Sequence, residues 1–204
     1  VSVVPLGGGT GLVDGTEART GQVMLSLERL RGIESVDPVS KTMTVRAGTV
    51  LAEVHEEAAR RGLSFPVDLG ARGSAQVGGL VATNAGGNGV VRFGMMRENV
   101  LGLEAVLADG TVLTSLNAMV KDNTGYDLKH LLIGSEGTLG VVTRAVLRLR
   151  PAPASRQTAF VAVPSFERLA QLLNDLEARL GGSLTAFEAL WRSFYEVVLA
   201  SGRH

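Results

Sequence analysis

PVDLGARGSAQVGGLVATNAGGNGVVRFG, residues 66–94, holds eight glycines and a single carboxylate, Asp68. Glycine inside a helix or strand costs roughly 0.5–1 kcal/mol relative to alanine, so this density is unfavourable in regular structure. It helps where the backbone must take positive φ, or where a ligand must reach bare amide groups. Val77, Leu80, Val81 and Ala82 have the spacing to pack one short helical turn. Gly78, Gly79, Thr83, Asn84, Gly86 and Gly87 around them then present N–H groups and small polar side chains outward. A long surface loop is the plain alternative, although loops of this length without a task are uncommon in compact domains.

Two further clusters accompany this one. Gly7-Gly8-Gly9-Thr10-Gly11 follows the apolar run Val1 to Pro5, and Gly134-Ser135-Glu136-Gly137-Thr138-Leu139-Gly140 precedes the alternating run Val141 to Leu149. A strand entering a glycine turn suits the wrapping of backbone amides around a phosphate; an ordinary tight turn is the alternative. Two familiar motifs are excluded. The P-loop needs Gly-Lys-Ser/Thr, and no lysine occurs before Lys41. The dinucleotide fingerprint G-x-G-x-x-G fails at Asp14, and no βαβ pattern follows. The chain has 26 glycines in 204 residues, against a usual share of about 7%. Together the clusters point to one elongated, phosphate-bearing cofactor touched by backbone in several places. The first cluster contains no lysine or arginine, so amide dipoles are expected to carry the phosphate contact.

The rest of the chain bounds the function. Basic and acidic residues number 20 each, and the few aromatics are not interleaved with a basic stripe, so nothing marks a nucleic-acid surface. No apolar run approaches the ~18 residues of a membrane span. There is no cysteine, which excludes disulfides and thiol chemistry. The hydrophobic share of 45% supports a buried core. Patterning predicts strands at 22–27 and 33–36, a hairpin turning at Pro38 to Lys41, and a helix over 50–61 capped by Thr49. Val100 to Leu107 and Thr111 to Thr114 flank an Asp109-Gly110 turn, a strong hairpin signal. A short helix is expected at 128–133, capped by Asp127. Beyond Pro151 and Pro153 the composition shifts. Strands are expected at 158–163 and 183–187, and helices at 165–180 and 188–199.

Four blocks then carry a resemblance: VVPLGGGTGL (3–12), PVDLGARGSAQVGGLVATNAGG (66–87), RFGMMRENVLGLEAVLADGTVL (92–113) and KDNTGYDLKHLLIGSEGTLGVVTRAVLRL (121–149). In this order they resemble the FAD-binding domain of the vanillyl-alcohol-oxidase or p-cresol-methylhydroxylase type. Within it they are most similar to the D-2-hydroxyacid dehydrogenases, which act on D-lactate, D-2-hydroxyglutarate or glycolate. The fold expected is α+β: a two-subdomain FAD-binding domain over residues 1–150, its N-terminal part missing, then the truncated start of an α/β cap domain over 151–204. Matching position by position, the resemblance implies that Gly7, Gly8, Gly9, Thr10, Gly11 and Leu12 wrap the pyrophosphate. Pro66, Leu69, Gly70, Gly73, Ser74, Gly78, Gly79, Thr83, Asn84, Gly86 and Gly87 would line the pyrophosphate, ribityl chain and flavin ring. Glu136, Gly137, Gly140, Val141 and Val142 would reach the adenosine end. The sequence departs from the family at Leu69-Gly70, where Pro-Gly is common, and at Phe93-Gly94, where Tyr-Gly is. Covalent members attach flavin through histidine or cysteine near the first two blocks. His55, His130 and His204 lie outside them, so non-covalent FAD is expected.

The same resemblance implies a hydroxy acid as substrate and a quinone, cytochrome or electron-transfer flavoprotein as electron acceptor. The compartment expected is cytoplasmic, with membrane association only through a partner. A divalent metal and the catalytic base would belong to the later cap. Glu188 and Trp191 are candidates to face the pocket or to pack internally. Arg92 and Arg97 are candidates either for a substrate carboxylate or for surface ion pairs, and no residue is named as the base. FAD-linked oxidation of another alcohol or sugar, or a non-catalytic flavin-binding module, stands as the alternative. Lacking groove walls at both ends, residues 1–204 alone are expected to bind FAD weakly or not at all.

Overall fold

The computed structural model describes residues 1–202, so His204 lies outside the described residues. The chain opens with strand β1 (Val3–Leu6), which pairs in parallel with β2 (Val23–Ser26) across the glycine-bearing loop 7–22. Next comes the hairpin of β3 (Ile33–Asp37) and β4 (Thr42–Arg46). Its turn is fixed by the Asp37 carboxylate, which accepts from the Val39 N–H at 2.8 Å and the Ser40 hydroxyl at 2.7 Å. Helix α1 (Leu51–Arg60) and the short β5 (Leu63–Ser64) lead into the glycine-rich stretch. That stretch holds two short helices, α2 (Val77–Ala82) and α3 (Val90–Phe93), and a third, α4 (Met96–Asn99), follows it.

A second hairpin, β6 (Val100–Val106) and β7 (Val112–Ser115), turns at Asp109-Gly110 as its sequence requires. After α5 (Lys129–Leu132), strand β8 (Val141–Arg148) inserts between the two hairpins. The sheet order is β3-β4-β8-β6-β7, and every pairing in it is antiparallel. The two hairpins therefore become one sheet only when β8 returns. Its inward residues Ala145 and Leu147 meet Met43 and Val45 of β4 and Leu103 and Ala105 of β6 in the core. Leu51, Val54 and Ala58 of α1 and Val77, Leu80 and Val81 of α2 complete the same cluster. Strand β9 (Arg150–Pro151) pairs with β5, and helices α6 (Phe166–Leu180) and α7 (Arg192–Ala200) end the chain.

Several expectations are corrected. Thr49 does not cap α1. Its buried hydroxyl is spent on Gly32, donating to the carbonyl and accepting from the N–H, each at 3.0 Å. Helix α1 starts at Leu51, and Glu53 reaches back to accept from the Val50 N–H at 3.3 Å. Arg31 pairs with the same carboxylate and is the main cause holding Glu53 below the usual carboxylate range. Asp127 does not cap α5 either: its carboxylate pairs with Lys129 and His130, and Leu128 takes the cap position.

Residues 158–163 and 183–187 are not strands. Alternation supplies a strand's faces but not its hydrogen bonds, which must come from a neighbour. None pairs with these segments among the described residues, and Phe160 stands 87% exposed. Helix α6 is as expected, with the Ser165 hydroxyl accepting from the Arg168 N–H. The last helix begins at Arg192, and neither α6 nor α7 has a buried residue. Trp191 stacks on Phe166 with ring centroids 6.1 Å apart, and Glu188 is exposed.

The core and the C-terminal helices should respond differently to truncation. Leu147→Ala, at a fully buried position of the central strand, is expected to cost about 2–5 kcal/mol. Leu180→Ala, at a site 43% exposed, should stay within about 0.5 kcal/mol. Urea midpoints of the two variants check this.

Candidate functional site

Helix α2 is the point on which all three glycine clusters meet. Placing a β-carbon on Gly8 would drive it into the Ser74 carbonyl oxygen and to 3.0 Å from Ala75 Cα. A β-carbon on Gly7 would stand 3.5 Å from Gly79 Cα. The first cluster therefore lies main chain against main chain on the segment entering α2. From the other side, the N–H of Gly134 donates to the Val81 carbonyl at 3.1 Å, and that of Glu136 to Ala82 at 2.9 Å. Gly137, with φ of +78°, sits where a β-carbon would approach Pro5 of β1 at 3.0 Å. Stretches far apart in sequence are thus locked together by backbone contact.

The expected site residues divide by what they face. At Gly9, Gly11, Gly70, Gly73 and Gly79 a β-carbon would have no atom within 4 Å, so the space beside them is open. Thr10 and Ser74 are exposed, and Leu12 is 97% exposed. Pro66, Leu69 and Val141 are half-buried. Thr83 donates its hydroxyl to the Gly79 carbonyl at 2.9 Å. Other positions face the chain itself. Gly78 is buried where a β-carbon would come 2.7 Å from Ala47 Cβ, and Gly86 meets Val90 at 2.6 Å. Gly87 passes over the Asp68 carbonyl, which accepts from the Asn88 N–H at 3.0 Å. Gly140 is buried against Val106 and Leu107, and Val142 lies in the core. Asn84 and Glu136 both take positive φ, of +49° and +52°. Such values are uncommon outside glycine, and asparagine tolerates them better than most.

Arg97 is committed to the protein's own carbonyls, rather than to a surface carboxylate. Its guanidinium donates to the His130 carbonyl at 2.6 Å and to the Ile133 carbonyl, and its main-chain N–H donates to Asn84 Oδ1 at 2.9 Å. This ties the second cluster to the turn that opens the third. Partial burial holds His130 below the ordinary imidazole range, with Lys129 as the next contributor. His55, on α1, meets the Val67 carbonyl through Nε2 at 2.9 Å, beside the entry to the second cluster.

Residue-by-residue matching missed Gln76. Its Oε1 is buried without a partner and lies 3.8 Å from the β-position of Gly7, between the first two clusters. A lone amide in the apolar run Ala75-Gln76-Val77 is the signal that could have found it. An open glycine-lined face with an unpaired buried acceptor fits a long cofactor bearing both phosphates and hydrogen-bond donors. Two hollows of about 320 and 210 Å3 lie elsewhere, lined by no residue of the three clusters.

The sequence profile of the family described as FAD binding domain matches residues 1–115. The chain belongs to this FAD-binding domain family. Among relatives of this FAD-binding domain is the D-2-hydroxyglutarate dehydrogenase of Xanthomonas citri pv. viticola, 48% identical over 99% of this chain and 42% of that protein. The mitochondrial D-2-hydroxyglutarate dehydrogenase of Bos taurus is 46% identical over 92% of this chain and 35% of its own length. A putative mitochondrial D-lactate dehydrogenase of Schizosaccharomyces pombe is 42% identical over 93% and 36%. The chain thus spans 35–42% of the length of these relatives. In fold it is similar to a solved alkyldihydroxyacetonephosphate synthase, with TM-score 0.67 and 25% identity over 76% of this chain and 28% of that one. Among the described residues no helix is long and apolar enough to cross a membrane.

The open position at Gly79 gives a direct test of whether this face holds FAD. In a helix, Gly→Ala is stabilising by roughly 0.5–1 kcal/mol, and the added methyl meets no protein atom. Gly79→Ala should leave Tm unchanged or raised while the FAD dissociation constant increases roughly tenfold, about 1.4 kcal/mol of lost fit. Calorimetric FAD titration beside a thermal melt separates the two effects.

Proposed function

We propose that the protein oxidises a D-2-hydroxy acid to the 2-keto acid, with FAD held non-covalently along the α2 face. The convergence of three glycine clusters on α2 carries the cofactor half of this reading. The substrate half is supported by relatives 42–48% identical that are named D-2-hydroxyglutarate and D-lactate dehydrogenases. The alkyldihydroxyacetonephosphate synthase likeness supports the fold but is more distant, at 25% identity. FAD, when bound, supplies the acceptor for the hydride that leaves the substrate's carbinol carbon.

The chain's own residues would work as a cradle. Gly7 to Leu12 would offer bare amides to the pyrophosphate, since the segment carries no cationic side chain. Gly70, Gly73, Ser74 and Gly79 would leave room along the cofactor, and Gln76 Oε1 would accept a hydrogen bond that it lacks within the protein. Thr83, Asn84 and the Gly86-Gly87 turn would border the ring end. Glu136 and Val141 would border the adenosine end. Gly78, Gly140 and Val142 would serve by setting main-chain positions, because their side-chain directions are filled by the protein.

Residues 1–150 would form the cofactor-binding unit, and 151–204 would open a substrate unit. Electrons would leave to a quinone, a cytochrome or an electron-transfer flavoprotein. A cytoplasmic setting is the reading for the compartment, although several relatives carry the word mitochondrial in their names.

The experiment is anaerobic mixing of the FAD-loaded protein with D-lactate, D-2-hydroxyglutarate or glycolate. Bleaching of the oxidised-flavin absorbance with a D acid and not with its L enantiomer is the expected result. A yellow protein that no hydroxy acid reduces would make it a flavin-binding module or an oxidase of another alcohol.

A further inference from the structure

Several arginines of this chain find a carboxylate: Arg46 pairs with Glu34, Arg72 with Asp68 and Arg144 with Glu104. Arg92 and Arg150 do not. Among the described residues neither side chain makes an ion pair or a hydrogen bond, and Arg150 Nε is shielded from solvent without a partner. Both guanidinium groups instead stand over the same ring. Arg92 Cζ is 5.0 Å and Arg150 Cζ 5.9 Å from the centroid of Phe93.

Two parts of the fold enforce this meeting. Pairing of β5 with β9 sets Arg150 opposite Ser64, two residues before Pro66. Gly89 lies where a β-carbon would stand 2.9 Å from the Pro66 carbonyl and 3.5 Å from the Phe93 ring. Asp68, two residues on from Pro66, pairs with Gly87, so Phe93 and its two cations lie toward the end of the cradle that the Gly86-Gly87 turn would border. Burial, and then the like charges of Arg148 and Arg92, hold the Arg150 guanidinium below its ordinary range. Like charges gathered without a counter-ion are costly, and an anion that bridges them removes that cost. The ring's attraction for cations offsets only part of it.

We propose that Arg92 and Arg150, both set over Phe93, bind the carboxylate of the small-molecule substrate at the Pro66–Gly87 end of the cradle. This rests on the hydroxy-acid reading above. A planar guanidinium fork matches a carboxylate in a two-point contact. The phosphates of the cofactor have the amides of the first cluster, so the carboxylate is the anion left for the arginines.

The test compares Arg92→Gln, Arg92→Lys and Arg150→Gln in the FAD-loaded protein. Arg92 is exposed, so its replacement probes the site even where Arg150→Gln disturbs β9. Expected is a rise of roughly 10- to 100-fold in KM for the hydroxy acid, the scale of a lost charge-assisted hydrogen bond. Arg92→Lys should recover part of it, FAD affinity should hold, and the neutral amide of the same acid should not distinguish wild type from variants. An unchanged KM, or equal losses on acid and amide, overturns the site and leaves the hydroxy-acid reading standing. Loss of FAD affinity instead assigns the arginines to a cofactor phosphate and also overturns it. Should no hydroxy acid reduce the flavin, glutarate binding by calorimetry decides: lost in Arg92→Gln, the carboxylate site stands; equal or absent in both, it falls.

Discussion

Main chain resting directly on main chain is the constraint from which the rest of this fold follows. At Gly8 on Ser74, and at Gly87 on Asp68, there is no room for even a methyl group. Approaches this close bring backbone dipoles from distant parts of the chain into one surface without a side chain between them. Interiors packed to crystal density do not spread such contacts over a range of distances. The first cluster is therefore either seated on the entry to α2 or displaced as a whole.

The second cluster does more than line a face. Its helix is only six residues long, too short to persist alone, and is held by what surrounds it. The N–H groups of Val77 and Gly78 donate to Thr49 and Ala47, and the carbonyls of Val81 and Ala82 accept from the third cluster. Both ends of its hydrogen-bond ladder are thus completed by other segments, as buried backbone groups require. Arg97 adds a side-chain brace, since its guanidinium serves the carbonyls that end α5 while its own N–H holds Asn84. A cofactor site made of backbone needs this outside support, because glycine contributes no packing of its own.

Much of this was legible in the chain. Both hairpins were readable because Asp109-Gly110 and the Pro38 to Lys41 turn punctuate alternating apolar runs, and α2 because Val77, Leu80 and Val81 share a helical face. Glycine, however, gives one signal for two uses. Gly79 faces open space and Gly78 faces Ala47, yet nothing in Gly78-Gly79 as written tells them apart. Arg97 reads as an arginine for a carboxylate, of the substrate or of the surface, because carbonyls leave no mark in a sequence. Arg150 carries no signal of its own in the sequence because its meaning depends on Phe93, brought near by the β5–β9 pairing. The unpaired segments at 158–163 and 183–187 show the reverse case: a readable alternation whose hydrogen-bonding neighbour cannot be read from the segment itself.

The contact between Gly78 and Ala47 has a consequence for how this chain can vary. A β-carbon at 78 would sit 2.7 Å from the one at 47, so helix α2 and the turn that follows β4 share space for a single methyl. Lineages of this fold can carry that methyl on either element, but not on both. The two positions should therefore drift as a pair, each small when the other is larger, and an exchange between them must pass through a form with glycine at both.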